Sequence, residues 1–301
     1  MSTVAVRSQS ITTHRLPFRL LLCLGEARPL VQLVSTLRYL VGAQCAPGGG
    51  APSVAVLTGA GAWWAASTCV YLFNGLMDLP EDRANGSRRP LARGALDPRT
   101  ARGCLLALLP ACLGLSLFAP LTTGCVLVFL VLGYLYSGPR LAAKLRTWST
   151  SCVTTAATFT TYLAGALATG SGVNRTTLVF ATVMSLWVGL IAAVSKDLGS
   201  ADGDALAGRR TLAVTRGEPA VRAFCSVAAL GLAGAALLGA AVSAPSAALT
   251  VAAVALSAGA LLFTARCLRP AAASPRAPYR ICMVTQYAVH VATGTALAAG
   301  L

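Results

Sequence analysis

Nine apolar runs, at roughly 29–46, 53–77, 100–118, 121–136, 148–169, 176–195, 219–242, 245–266 and 279–300, occupy most of this 301-residue chain. A helix of about 20 apolar residues crosses the ~30 Å hydrocarbon layer of a bilayer. The expected fold is therefore all-α, a polytopic membrane bundle of nine transmembrane helices with no second, soluble domain. Composition agrees, with 56% hydrophobic residues, only 11% charged residues and a mean hydropathy of +0.70. Several runs are rich in small residues, such as Gly231, Ala233, Gly234, Ala235 and Ala236. Small residues let helix backbones approach closely where lipid supplies no hydrophobic drive for association, so a compact bundle is expected.

The connections between runs differ sharply in charge. Eighteen of the 24 Lys and Arg residues lie in the connections that follow the second, fourth, sixth and eighth runs. The other connections hold only Arg175, and five more cations lie at or before Arg38. The positive-inside rule then puts the N-terminus and the basic loops in the cytoplasm of a cell-membrane protein. Residues 1–28 read as a cytoplasmic N-terminal segment, because Leu20 to Leu24 is too short for a signal peptide's apolar region. Residues 29–301 read as the membrane domain. Insertion topology accounts for the net charge of +15, and no stacking platform of aromatic residues accompanies the cations, so nucleic acid is not an expected partner.

The acids are rarer than the bases and more informative. Six of nine fall in two places, Asp78, Glu81 and Asp82 after the second run, and Asp197, Asp202 and Asp204 after the sixth. Asn74, Asp78 and Asp82 are spaced four apart, which puts them on one face of a continuing helix, although Pro80 would end or kink that helix nearby. A lone DxxxD is an ordinary solvated helix end more often than a ligand. A second acidic helix end on the same side of the membrane changes that balance. Hard cations such as Mg²⁺ bind through one or two carboxylates completed by substrate phosphates, and two ions can bridge a diphosphate. Arg89, Arg140, Lys144 and Lys196 come from the same loops and suit phosphate oxygens. The ten cysteines contain no CxxC pair and there are only two histidines, so a zinc site has no supporting spacing.

These residues resemble the signatures of the UbiA superfamily of intramembrane prenyltransferases. The run Asn74-x-x-x-Asp78-x-x-x-Asp82, with Asn85 and Arg89-Pro90-Leu91-x-x-Gly94, is similar to the first signature. Lys196-Asp197 through Gly203-Asp204, with Gly208-x-x-Thr211-Leu212 and Gly217, is similar to the second. Tyr136-Ser137-x-Pro139-x-Leu141 with Lys144 is similar to a third segment that faces phosphate, and Arg28-Pro29 also fits. The resemblance implies a two-lobed helical bundle whose central cavity opens laterally to lipid and ionises an isoprenyl diphosphate with Mg²⁺. It implies that Asn74, Asp78 and Asp82 hold one ion, that Asp197 with Asp204 or Asp202 holds the other, and that Arg89, Arg140, Lys144 and Lys196 contact diphosphate. Many members carry a further Asp where this chain has Ser200, which leaves the second ligand set open between Asp202 and Asp204.

The expected activity is transfer of the isoprenyl group to an aromatic or quinone-like acceptor. Fixed cations lower the barrier by favouring the charge that develops on the leaving diphosphate, and a dry apolar pocket keeps water from the carbocation. The alternative is a terpene cyclase, in which the same ionised chain closes on itself. A channel or transporter would need ionisable groups near mid-membrane, whereas these acids sit at helix ends. Arg38, about midway along the first run, is expected to bind an acidic group of the acceptor, since its burial costs at least ~2.5 kcal/mol on insertion scales; contact with backbone carbonyls is the competing reading. Tyr162, Trp187 and Tyr287 could stack on an aromatic acceptor or pack in the core. His290 reads as structural. The hydroxyl stripe Thr147, Ser151, Thr154, Thr158 and Thr161 reads as satisfying itself on backbone.

Overall fold

The computed structural model describes residues 16–49, 53–243, 246–269 and 274–300. Each apolar run becomes a helix: α2 (Pro29–Cys45), α3 (Val54–Met77), α5 (Pro98–Ser116), α6 (Pro120–Ser137), α7 (Thr147–Ala168), α8 (Arg175–Leu186) continuing into α9 (Ala193–Ser195), α11 (Leu212–Val242), α12 (Ala247–Cys267) and α13 (Ala277–Ala298). Three short helices are added: α1 (Leu16–Glu26), α4 (Leu79–Ala84) and α10 (Ala201–Leu206). Side chains mark where the helices begin. Ser53, Asp97, Asn174, Thr211 and Ser246 each accept a bond from an otherwise orphaned backbone N–H in the first turn, the usual chemistry of an N-cap.

The protein is an integral membrane protein with an all-helical fold among the described residues. Six of its helices are long and apolar enough to cross a bilayer: Val54–Met77, Pro120–Ser137, Arg175–Ser195, Leu212–Val242, Ala247–Cys267 and Ala277–Ala298. A seventh span results if α1 and α2, bent by 73° at their junction, count as one. The expected nine spans are therefore not established. The two long helices outside this set have identifiable reasons. α5 opens on Arg99 and Arg102, and α7 carries seven Thr and two Ser hydroxyl side chains within Thr147–Ala168. At the bend, Arg28 has φ 57°, a left-handed conformation uncommon for a non-glycine residue, and Pro29 then opens α2.

The helices pack as two lobes. One apolar core joins α2, α3, α5, α6 and α7 around Tyr39, Trp63, Val126, Phe129 and Ala164. The other joins α8, α11, α12 and α13 around Met184, Trp187, Ile191, Leu256 and Phe263. Polarity is inverted relative to a soluble protein: Leu30, Leu106, Val227 and Leu262 face outward while Thr158, Thr161, Gln286 and His290 are buried. Between α8 and α9 the backbone widens into a π-helical stretch, Trp187–Ala192, a feature often found beside functional sites. Gly189 sits within it, where a Cβ would overlap Thr155 and the carbonyl of Ser151 on α7.

α2 and α7 contribute residues to both cores, and two glycines set the approach of these two helices to each other. A Cβ on Gly42 would overlap the backbone carbonyl of Tyr162, and one on Gly165 that of Tyr39. Gly165→Val should therefore wedge the helices apart at a cost of about 1–3 kcal/mol. A lowered melting temperature of the detergent-extracted variant checks this, and an unchanged one would contradict the packing described.

Candidate active site

A cavity of about 640 Å³ lies between the lobes, within the range of small-molecule sites. Its polar end is built by four chain segments. α3 supplies Asn74, and the helix ends at Met77, yet the backbone bonds Asp78 N–H to the Asn74 carbonyl (2.8 Å) and Asp82 N–H to the Asp78 carbonyl (2.7 Å) carry the four-residue spacing into α4. Pro80 falls in the first turn of α4, where a missing N–H breaks no bond. The proline thus starts a second helix without splaying the face, and Asn74, Asp78 and Asp82 all line the cavity, together with Glu81 and Asn85.

The segment after α9 supplies Lys196, Asp197 and Ser200, and α10 supplies Asp204. Gly199 at φ 77° makes the turn between them. Ser200 donates to the Asp204 carboxylate at 3.1 Å, so the hydroxyl that replaces an acid in the second motif orients the acid four residues on. Asp204 is buried and on the cavity; Asp202 is exposed and off it. A fourth segment, the 3₁₀ turn Ala143–Leu145 after α6, delivers Lys144. It is docked by the Arg210 N–H bonding to the Leu145 carbonyl (2.7 Å) and the Leu212 N–H bonding to Thr147 Oγ1 (2.6 Å).

Every acid lining the cavity is met by a cation. Lys144 bonds Asp78, and Arg89 lies 2.8 Å from Asp82 and 4.0 Å from Asp78. Lys196 lies 2.5 Å from Asp197. Arg209 bridges the two motifs, 2.6 Å from Glu81 and 3.5 Å from Asp204. Burial raises the Asp197 carboxyl above its ordinary pKa despite Lys196 beside it, so a further positive charge there would favour its ionised form. Among the described residues no three acids converge on one point that could hold a metal ion by themselves. That arrangement fits Mg²⁺, whose sites use one or two carboxylates with substrate phosphates completing the shell.

The structure gathers Asn74, Asp78, Asp82, Asp197, Asp204, Lys144, Lys196 and Arg38 around one cavity, with Arg89 immediately behind the acids. It does not bring Arg140 there, because that side chain is exposed beside Pro139. Tyr162, Trp187 and Tyr287 also lie off the cavity; Tyr162 and Trp187 are buried in packing, and Tyr287 donates to the Leu30 carbonyl. The rings that do line it are Tyr71, Phe129, Tyr136 and Tyr279. His290 is buried between the Tyr162 hydroxyl (2.7 Å) and the Gln286 carbonyl (2.6 Å), a structural position. Thr154 and Thr161 bond backbone carbonyls of α7 while lining the cavity with Thr158.

Two residues escaped the sequence reading. Arg209 stood among several loop cations with nothing to single it out. Glu26 lies some 50 residues before the first acidic cluster, yet it is fully buried, 2.6 Å from Arg89, and accepts the Leu91 N–H at 3.0 Å. Gly75 makes room for this pair, since a Cβ there would overlap both side chains.

The model of the UbiA prenyltransferase family matches residues 36–283. A digeranylgeranylglyceryl phosphate synthase of Halobacterium salinarum is 30% identical over 211 residues, 69% of this chain and 74% of that protein. Among solved structures, a UbiA homologue from Archaeoglobus fulgidus bound to GPP and Mg²⁺ superposes with a TM-score of 0.70 at 20% identity, covering 92% of this chain and 99% of the other. An apo UbiA homologue from Aeropyrum pernix gives 0.70 at 17% identity over 87% and 96%.

Glu26 is the internal counter-charge of Arg89, and removing one partner of a buried pair typically costs 3–5 kcal/mol. Glu26→Gln should accordingly lower stability by about 3 kcal/mol, read as a fall in the denaturation midpoint. A midpoint equal to that of the native protein would deny Glu26 this role.

Proposed function

The chain belongs to the UbiA prenyltransferase family, whose members are enzymes that release diphosphate, and from that premise we propose how this cavity performs the transfer. The diphosphate of an isoprenyl donor lies at the polar end, and its hydrocarbon runs toward Val70, Phe129, Leu132, Val188 and Met283. The observation that carries this reading is the convergence of two acidic motifs and the cations Lys144, Lys196 and Arg209 on one end of a single cavity. Asn74, Asp78 and Asp82 would hold one Mg²⁺, and Asp197 with Asp204 the other. When bound, Mg²⁺ would neutralise charge developing on the departing diphosphate. Arg89, held by Glu26, fixes the carboxylate of Asp82. Lys144, Lys196 and Arg209 offer N–H donors to phosphate oxygens at the positions where they now meet acids.

The allylic C–O bond breaks with its electron pair going to diphosphate oxygen. A nucleophilic atom of the acceptor supplies the pair for the new bond and loses a proton. The helix-lined remainder of the cavity keeps water from competing. An aromatic or quinone-like acceptor is supported by Tyr71, Phe129, Tyr136 and Tyr279 on the cavity wall. A second reading, a prenylated glycerol phosphate acceptor, is supported by the relationship to the Halobacterium enzyme. Membership of a prenyltransferase family favours transfer over cyclisation. The distribution of cations supports nine spanning helices, with residues 1–28 and the active-site end in the cytoplasm.

Membranes containing the protein, supplied with Mg²⁺ and isoprenyl diphosphates of several lengths, should release diphosphate when a suitable acceptor is added. Asp78→Ala and Asp197→Ala should each reduce that release by about 10²–10³-fold, the scale of losing one preorganised charge-stabilising group. Asp202→Ala should stay within a few-fold of the native rate. Undiminished release by Asp78→Ala and Asp197→Ala would sink the assignment, and a cyclic hydrocarbon formed without acceptor would replace transfer with cyclisation.

A further inference from the structure

Away from the central cavity, the second lobe holds two arginines that its acids leave partly unmatched. Beyond the kink at Gly217 (φ 79°), α11 is helical throughout, so Glu218, Arg222 and Ser226, spaced four apart, share one face. Both terminal nitrogens of Arg222 are buried and make no hydrogen bond among the described residues. The only carboxylate within 4 Å of them there is Glu218, at 3.8 Å, beyond hydrogen-bond length. Glu218 is itself engaged, accepting the Gly199 N–H at 2.6 Å. Arg266, in the last turn of α12, donates from one terminal nitrogen to the Ser274 carbonyl at 3.2 Å, while the other is buried without a partner. Among the described residues Arg266 has no carboxylate within 4 Å.

The two side chains reach one place. Glu218 links Arg222 to the Gly199 turn. Pro275, next to the Ser274 that Arg266 holds, packs on that same turn, where a Cβ on Gly199 would come within 2.7 Å of it. Cys267 lies beside Ser226 and within electrostatic reach of both guanidinium groups. One turn back along α12, the Thr264 hydroxyl is buried without a partner. None of Arg222, Ser226, Thr264 and Arg266 lines the central cavity.

Charge and depth say what fits there. Two guanidiniums against one carboxylate leave one positive charge over, and buried N–H donors are costly until an acceptor meets them. A guanidinium fork suits phosphate oxygens. Gly199 lies between Asp197 and Ser200 of the polar end, which puts the arginines at the charged end of the bundle. Further along the same helices Val227, Leu230 and Leu262 face outward, the surface that lipid covers. Basic pockets between membrane helices at such a level bind lipid headgroups, and a phosphodiester carries the single negative charge that is lacking. Glu218, 28% exposed, marks the opening to the surface.

We propose that Arg222 and Arg266, with Ser226, form a phosphate-binding site at the charged end of α11 and α12, separate from the diphosphate end of the cavity. The phosphate is that of a lipid headgroup or is free in solution. Binding requires the Arg222 side chain to turn its fork toward the opening beside Glu218. The site does not depend on the prenyl-transfer reading, because its residues lie off that cavity.

The test measures binding to the delipidated full chain in detergent and Mg²⁺-free buffer. One arm titrates a short-chain diacyl phosphatidylglycerol against the diacylglycerol that lacks the phosphate, read by native mass spectrometry. The other titrates inorganic phosphate against chloride at matched ionic strength, read as a shift in melting temperature. The native protein should bind at least one phosphate probe in preference to its control, and Arg222→Gln should raise the Kd at least tenfold. Arg269→Gln, at an exposed arginine of the same end, and Lys144→Gln, at the central cavity, should each change it less than twofold. Ser226→Asp places an internal carboxylate one turn from Arg222; it should also abolish binding, and serves if Arg222→Gln does not accumulate. Arg222-dependent binding of phosphatidylglycerol alone identifies a lipid site, and Arg222-dependent binding of inorganic phosphate identifies a site for free phosphate. Binding that survives both Arg222→Gln and Ser226→Asp overturns the proposal. So does a loss in Lys144→Gln as large as in Arg222→Gln, an equal response to the controls, or no binding of either probe.

Discussion

The structure depends on matching every buried carboxylate with a cation in a bundle that offers little else to stabilise charge. Removing an ion from water is costly, and attraction in a low-dielectric interior offsets that cost only when the partner is held in good geometry. Glu26, Asp78, Asp82, Asp197 and Asp204 are all largely buried or close to it, and each has a guanidinium or ammonium within reach. The pairs link elements distant in sequence: Glu26 of α1 to Arg89, Asp78 to Lys144, and Glu81 to Arg209. The same contacts that make the acids tolerable therefore pull four chain segments to one end of the cavity.

The arrangement also explains why the site suits a multiply charged ligand. Acids and cations alternate there, so a diphosphate with its counter-ions would exchange one set of pairings for another without leaving bare charge. The apolar remainder of the cavity serves the opposite need, room for hydrocarbon and exclusion of water. Arg38 stands outside this exchange, because it meets the Gln286 side-chain oxygen and forms no ion pair among the described residues.

Much of this was legible in the residues themselves, for physical reasons that differ by element. Helical periodicity put Asn74, Asp78 and Asp82 on one face, and Pro80 preserved that face because it fell in the first turn of α4. The second cluster was less legible. Asp202 and Asp204 are two apart, so they point to different sides of α10, and only packing shows that Asp204 turns inward and Asp202 outward. Arg140 and Lys144 present the same difficulty in a loop, where no period exists to decide which reaches the cavity. Tyr162 and Trp187 occupy positions compatible with a cavity wall or a core, and packing between the lobes assigned them to the core.

The sequence by itself determined that the chain is a helical membrane protein, that its acids collect at two helix ends on the charged side of the bilayer, and that its motifs are those of a prenyl-transfer family. The first two follow from composition, helical period and loop charge, and the third from the resemblance of short motifs, all of which are local properties. Tertiary structure alone decided which carboxylates face the cavity, that Glu26 anchors Arg89 and Arg209 ties the two motifs together, and that Arg38 meets Gln286 and no acid among the described residues. Those facts concern partners dozens to hundreds of residues apart, and whether a charge is compensated depends on distance in space, which no pattern along the chain encodes.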